Sequence, residues 1–284
     1  MKYLITGSFG QLAKAFLSYF EKNGIDYFAA DKDDLDITDK HQISDAVCSY
    51  KPDVIINCAA YNNVDMAEKE ESLPYLINKT AVSYLVEEAE KIKAKFVHFS
   101  TDYVFDGKKN DFYTEEDIPN PLNVYAKTKF AGEIRSLEYE RALVFRLSWV
   151  IGYGSQNFLY KFSNWAKQYK TIKVSSDEIS VPSFTFDIAK CVLSALDKDL
   201  TGLYHLTNSS KASRYELAVN YANLMGYSNE ILPVPMASFK SQAQRPLFTA
   251  MSNAKISKEL GIKIPDWRQS LEQFVNTLKA DEHK

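Results

Sequence analysis

The sequence predicts an α/β fold, a doubly wound parallel sheet followed by a smaller C-terminal cap. Three observations carry this. Short apolar runs alternate with helical patterns through the first half of the 284-residue chain. Those runs are apolar on both faces, as strands covered by helices on either side must be. A glycine-marked turn joins the first run directly to the first helical pattern.

Taken in order, "KYLIT" (2–6) is a short buried strand, and residues 10–22 place Leu12, Phe16, Leu17 and Phe20 at helical spacing. "DYFAAD" (26–31) is the second strand, 41–50 a helix, and "DVIINCAA" (53–60) the third strand. Residues 66–92 hold one or two helices, "AKFVHFST" (94–101) is a strand, 123–137 a helix and "RALVFRLSWV" (141–150) a strand. Beyond residue 150 the rhythm loosens. Helices are expected at 156–169, 184–197, 213–225 and 267–279, with strands at 172–176 and 202–207. The Pro-punctuated stretch 232–246 reads as loop. The expected division is 1–150 for a Rossmann-type nucleotide-binding part and 151–284 for a cap interleaved with it.

Composition excludes several classes. The chain is 45% hydrophobic and 25% charged with a net charge of −3, so it is an ordinary globular sequence without a basic surface for nucleic acid. Cys48, Cys58 and Cys191 are widely separated, and His41, His98, His205 and His283 do not cluster, so neither a disulfide framework nor a metal site is expected. The N-terminal apolar run is too short for a signal peptide, and no stretch has the length of a membrane span. A cytoplasmic protein is expected, a monomer or homodimer.

"TGSFGQLAKAF" puts Gly7, Gly10 and Ala13 at GxxGxxA spacing between strand and helix. Glycines there permit a tight turn and close approach of backbone N–H groups to a pyrophosphate, and the helix N-terminus favours that anion. Asp31 ends the second strand about 20 residues on, where an acid accepts the ribose hydroxyls of an adenosine. Asp36 and Ile37 follow, near where an adenine edge would lie. A dinucleotide is the expected ligand.

Tyrosine four residues before lysine is the proton-transfer pair of many hydride-transferring enzymes. Such pairs occur at Tyr75/Lys79, Tyr125/Lys129 and Tyr169/Lys173. The third straddles a helix end and a strand, so its members cannot share a helical face. Neither it nor the first follows a strand carrying a hydroxyl residue at its carboxyl end. Tyr125 and Lys129 do share a face, and the preceding strand delivers Ser100, Thr101 and Asp102 to the ligand-binding edge of the sheet. Free tyrosine has a pKa of about 10, so a neighbouring ammonium is expected to lower it.

"INCAAYNNVDMAE", "FSTDYVFDG", "NPLNVYAKTKFAGE" and "FRLSWV", with the glycine turn, occur in the order seen in extended short-chain dehydrogenase/reductases. The chain most closely resembles the dTDP-4-dehydrorhamnose reductases. The resemblance runs along nearly the whole chain and is strongest over 53–158. It implies reduction of the C4 ketone of a nucleotide-linked 4-keto-6-deoxy sugar with NADPH or NADH as cofactor. It implies Thr101, Tyr125 and Lys129 as catalytic residues. Gly7, Phe9, Gly10, Gln11 and Leu12 match the pyrophosphate turn, Ala59, Ala60 and Tyr61 the strand end beside the cofactor, and Asn78 its helix neighbour. Val64, Asp102, Trp149, Asn157 and Phe158 fall on the substrate side, and Arg245 near the nucleotide diphosphate. Three departures stand out. The usual "AYTAVD" is "AYNNVD" here, and "DQ-x-G-x-PT" is "DEISVPS" (177–183). An acidic residue tied in some relatives to a magnesium-bridged dimer is replaced around Lys14–Ala15, so no metal is expected. An epimerase that retains NAD, or a non-catalytic regulatory subunit, remains open on the same scaffold.

Overall fold

The computed structural model describes residues 1–282; His283 lies outside them. Six parallel strands form the main sheet: β1 (Tyr3–Thr6), β2 (Tyr27–Ala30), β3 (Val54–Asn57), β4 (Lys95–Thr101), β5 (Ala142–Leu147) and β6 (Gly202–His205). Their spatial order is β6-β5-β4-β3-β1-β2. The chain leaves β1 toward β2 on one side and later resumes with β3 on the other. A crevice therefore opens at the carboxyl ends of β1 and β3, where open parallel sheets bind ligands.

Both faces of the sheet are covered. Phe16 and Phe20 of the first helix, Gln11–Asn23, pack in one cluster with Ile188, Val192 and Leu196 of the helix Thr185–Asp197. Each fully buried phenylalanine contributes about 1.5–3 kcal/mol. Ile43 and Val47 of Lys40–Tyr50 and Leu85 and Val86 of Ala81–Ile92 cover the other face. A third cluster, around Trp149, Phe162, Phe184, Leu217, Trp267 and Phe274, is the core of the cap. The segment after residue 150 thus builds the cap and also supplies β6 and a covering helix to the main sheet.

Local structure departs from the sequence reading at three places. Residues 230–234, three of the five expected as loop, form the strand Glu230–Val234 parallel to Thr171–Ser175. Pro233 is tolerated because this two-stranded sheet has only edges. The run 141–150 is interrupted at Trp149, whose φ of 39° ends β5 and restarts the chain as Val150–Ile151. Between the helices Ser72–Tyr75 and Ala81–Ile92 lies a π turn, Leu76–Thr80. Among the described residues no helix is long and apolar enough to cross a membrane.

Candidate active site

Three chambers of about 330, 300 and 580 Å³ run in series along the crevice. Cys58, Ala59, Ala60, Asn62 and Gln156 are common to the first two, and Trp149, Val150 and Arg214 to the last two. One continuous cleft results, from the glycine turn to the cap.

Gly7, Phe9, Gly10, Asp31, Asp36, Ile37, Ala59 and Ala60 line the outer chamber. Gly7 has a φ of 67°, and a Cβ there would stand 2.7 Å from the Ala59 nitrogen. Only glycine permits both the conformation and the contact. Gly10 caps the first helix without a side-chain hydrogen bond, so the first-turn N–H groups have no side-chain acceptor at that end. Asp31 Oδ2 accepts the Phe9 N–H at 2.9 Å and ties the turn to the end of β2. Asp36 accepts both the N–H and the hydroxyl of Thr38, which hold its carboxyl below the usual range. Leu35, Ile37, Leu73 and Leu76 make the far end apolar. A cradle that a Cβ would fill, a helix terminus open to an anion and an apolar slot fit a dinucleotide.

Thr101, Asp102, Tyr125 and Lys129 meet in the middle chamber with Gln11, Leu12, Val64 and Ser100. Among the described residues the buried Ser100 Oγ has no hydrogen-bond partner, and Lys129 Nζ donates to the Phe99 carbonyl at 2.5 Å, leaving further N–H donors. Both groups suit a polar ligand such as a nicotinamide ribose. Burial depresses Lys129 to about 8, opposed by the charge of Glu133. Burial pushes Tyr125 up to about 12; the Thr101 hydroxyl, within hydrogen-bonding reach, works against this and the Asp102 charge works with it. The expectation that Lys129 lowers Tyr125 is not met by the chain alone. Its ammonium is turned toward Phe99, and Tyr125 is held as the neutral phenol, the form that donates a proton.

The helix Val124–Leu137 is positioned from three sides. Asn123 caps it by accepting the Ala126 N–H at 2.8 Å, and Glu68 accepts the Val124 N–H at 2.7 Å. Gly132 lets it press on the π turn, since a Cβ there would lie 2.1 Å from the Asn78 carbonyl. Asn78 bonds both backbone groups of Tyr61 and the Thr128 hydroxyl. Asn78 is thus buried behind the cleft wall and holds Tyr61 by its backbone groups. Together they brace this helix against the end of β3.

Trp149, Asn157, Phe158 and Arg245 border the inner chamber. Among the described residues the buried Trp149 indole Nε1 lacks a partner, and the positive φ of Trp149 is strain of the kind held at binding sites. The Arg214 guanidinium stacks 3.6 Å from its ring centroid. Asn157 caps the helix Phe158–Gln168 and, with Gln11, latches the first helix to the segment 150–157. Arg245 makes a bidentate pair with Asp65, at 2.7 and 3.1 Å, and Asp65 also accepts the N–H groups of Gln242 and Ala243. Among the described residues lining this chamber, Lys161, Lys173, Lys240, Arg214 and Arg245 outnumber the carboxylates Asp65 and Glu178, so it suits an anion.

Comparison with known proteins agrees with this geometry. The family model described as the RmlD substrate binding domain matches residues 1–280. The dTDP-4-dehydrorhamnose reductase of Aggregatibacter actinomycetemcomitans is 34% identical, over 96% of this chain and 98% of that one. The chain belongs to the dTDP-4-dehydrorhamnose reductase family. Two solved structures of such reductases superpose along nearly their whole length. That from Clostridium acetobutylicum has a TM-score of 0.95 at 32% identity, covering 98% and 100% of the two chains. That from Bacillus anthracis, in complex with NADP, has a TM-score of 0.93 at 32% identity, covering 96% and 98%.

Sequence reasoning missed Arg214, Gln156 and Asn62 in the cleft wall and Ser180 and Thr249 behind Asp102. Ser180 carried a signal, since it stands where the pattern has glycine. Arg214 carried none, because it opens an ordinary helix.

Proposed function

We propose that the protein reduces the C4 ketone of a nucleotide-linked 4-keto-6-deoxy sugar with NADPH or NADH, converting dTDP-4-dehydro-L-rhamnose to dTDP-L-rhamnose or acting on a close analogue. The observation that carries this is the convergence of Thr101, Tyr125 and Lys129 between a dinucleotide-shaped chamber and a cationic one. A reduced nicotinamide bound in the outer and middle chambers supplies the hydride. Lys129 holds its ribose, Thr101 orients the ketone oxygen, and Tyr125 gives that oxygen its proton. Burial keeps the phenol protonated across the neutral range, as a reduction requires. Trp149 and Asp102 face the sugar, and Arg214 and Arg245 the diphosphate. Cytoplasmic action as a monomer or homodimer is part of the same proposal.

The test follows oxidation of NADPH and NADH with dTDP-, UDP- and GDP-linked 4-keto-6-deoxy sugars. One cofactor oxidised per sugar reduced is expected, with the dTDP sugar preferred. Conversion of a sugar on tightly held NAD without net oxidation would overturn the reading in favour of an epimerase.

A further inference from the structure

Asp102 is held in an unusual way. It is 3% exposed, and its oxygens are bonded by hydroxyls from three separate parts of the chain. Ser180 Oγ, on the cap strand Ile179–Ser180, donates to Oδ2 at 2.8 Å. Thr249 Oγ1, some 70 residues further along, donates to the same oxygen at 2.5 Å. Thr101 Oγ1 approaches Oδ1 at 3.3 Å, while accepting the Tyr103 N–H at 3.2 Å. Each hydroxyl has one proton. Those of Ser180 and Thr249 go to Oδ2, so Oδ1 is the oxygen left to face Thr101. The Thr101 proton thus rests on a long bond that it can exchange for a ketone oxygen.

We propose that Ser180 and Thr249 are positioning residues for the reduction: they fasten Oδ2 of Asp102 to the cap, so that Oδ1 keeps the Thr101 hydroxyl aligned with Tyr125. This rests on the function proposed above. It makes alignment of the reacting hydroxyls depend on how the cap is seated, because Ser180 and Thr249 lie on segments laced together by their own backbones. The Ile179 N–H donates to Leu247 and the Thr249 N–H to Ile179, at 2.7 and 2.9 Å. Methyl-sized replacement of either hydroxyl leaves that lacing in place. It also accounts for serine where the family pattern has glycine, which offers Asp102 no donor.

The charge of Asp102 is part of the device. Burial pushes its carboxyl up to about 6, and the Thr249, Ser180 and Thr101 hydroxyls and the Arg214 charge hold it from rising further. The other titratable groups around it are Glu178, ion-paired with Arg214 at 3.5 Å, Tyr103, which donates to Glu178 at 3.3 Å, and Tyr125. Donors to the charged form lower a carboxyl pKa, so removing two of them raises it.

The experiment compares wild type, Ser180→Ala/Thr249→Val and Thr249→Ser. Two quantities are read: kcat and KM against pH with the dTDP 4-keto sugar, and the titration of the Asp102 carboxyl carbon by ¹³C NMR in protein without ligands, assigned with Asp102→Asn. In the double variant kcat is expected to fall about tenfold through misalignment of the hydroxyl, with KM changed less than about threefold. The acid limb of kcat and the carboxyl titration should both move upward by about one pH unit. Thr249→Ser should behave as wild type. A double variant with unchanged kcat, acid limb and carboxyl titration would overturn the proposal, whatever its melting temperature. If wild type reduces no 4-keto sugar, the proposed function falls, and an unmoved carboxyl titration would separately sink the role given to Ser180 and Thr249.

Discussion

The two ends of the cleft are built from different materials. The outer end is mostly backbone: a glycine at positive φ, a bare helix terminus and the end of β3, with Asp31 as the main side-chain fastener. The inner end is almost all side chain, and its pairs join residues far apart in the chain, such as Asp65 with Arg245 and Asp102 with Ser180 and Thr249. A backbone site is specified by residues next to one another, so a short motif describes it. A side-chain site is specified by contacts the fold must first create. The outer end therefore suits a cofactor that many proteins share, and the inner end can change its ligand by single substitutions.

The proposed function places the chemistry where the ends meet, so the largest effect is expected there. Tyr125→Phe should lower kcat by 10²–10⁴, about what loss of a general acid costs, with the cofactor dissociation constant nearly unchanged. Near-wild-type turnover, or inactivation by Tyr75→Phe instead, would assign the proton to another group. The same site sets a pH dependence. Lys129, depressed to about 8 by burial, is charged below that value and neutral above it. In the free enzyme kcat/KM should therefore decline as pH rises through about 8, while Tyr125 stays protonated to about 12 and adds no limb in this range. A flat profile to pH 10 would show that the lysine charge is not used.

The next effect breaks the outer end alone. Gly7→Ala puts a Cβ 2.7 Å from the Ala59 nitrogen at a φ that side chains avoid. Strain of about 1–3 kcal/mol at the turn should weaken cofactor binding by about 10–100-fold. Substrate analogue binding at the inner end should hardly change, as followed by calorimetry. Equal loss at both ends would mean that the two are one cooperative unit.

How much of this was legible follows the same division. The parallel sheet, the glycine turn and the Tyr125/Lys129 pair could be read because each is a local pattern with one geometric solution. Tyr169 and Lys173 do straddle a helix end and a strand, since the helix ends at Gln168 and the strand begins at Thr171. Asn78 was named for the right neighbourhood, but its place behind the wall depends on a π turn that no periodicity announces. Arg214 was invisible because its partners, Trp149 and Glu178, lie far away in sequence. The direction of the Tyr125 shift was misjudged because burial outweighs a lysine that points elsewhere.

A smaller effect sharpens the inner end. Asp65→Asn keeps the acceptor for the Gln242 and Ala243 N–H groups but removes the charge that pins Arg245. An ion pair this exposed is worth about 0–1 kcal/mol, so stability should hardly move. If the pair sets the direction of the guanidinium toward a diphosphate, KM for the nucleotide sugar should rise about fivefold with kcat kept. A changed kcat would place Asp65 in the chemistry.

The smallest effect concerns cofactor choice, and it tests whether the outer end is as indifferent as its backbone construction suggests. The Asp31 carboxylate is fixed rather than free: Oδ2 accepts the Phe9 N–H and Oδ1 the Lys32 N–H, at 2.9 and 2.8 Å. A fixed carboxylate at the ribose end accepts hydroxyls from NADH and repels the 2′-phosphate of NADPH. Lys32 lies beside it at the same chamber and offsets that repulsion as a flexible, exposed charge. An exposed pair contributes about 0–1 kcal/mol, less than the 1.4 kcal/mol of a tenfold preference. NADH and NADPH should therefore differ in kcat/KM by about tenfold or less. Asp31→Asn should tilt the ratio toward NADPH, and Lys32→Ala toward NADH. A preference above about a hundredfold, roughly 2.7 kcal/mol, would require a phosphate site stronger than these two side chains can make.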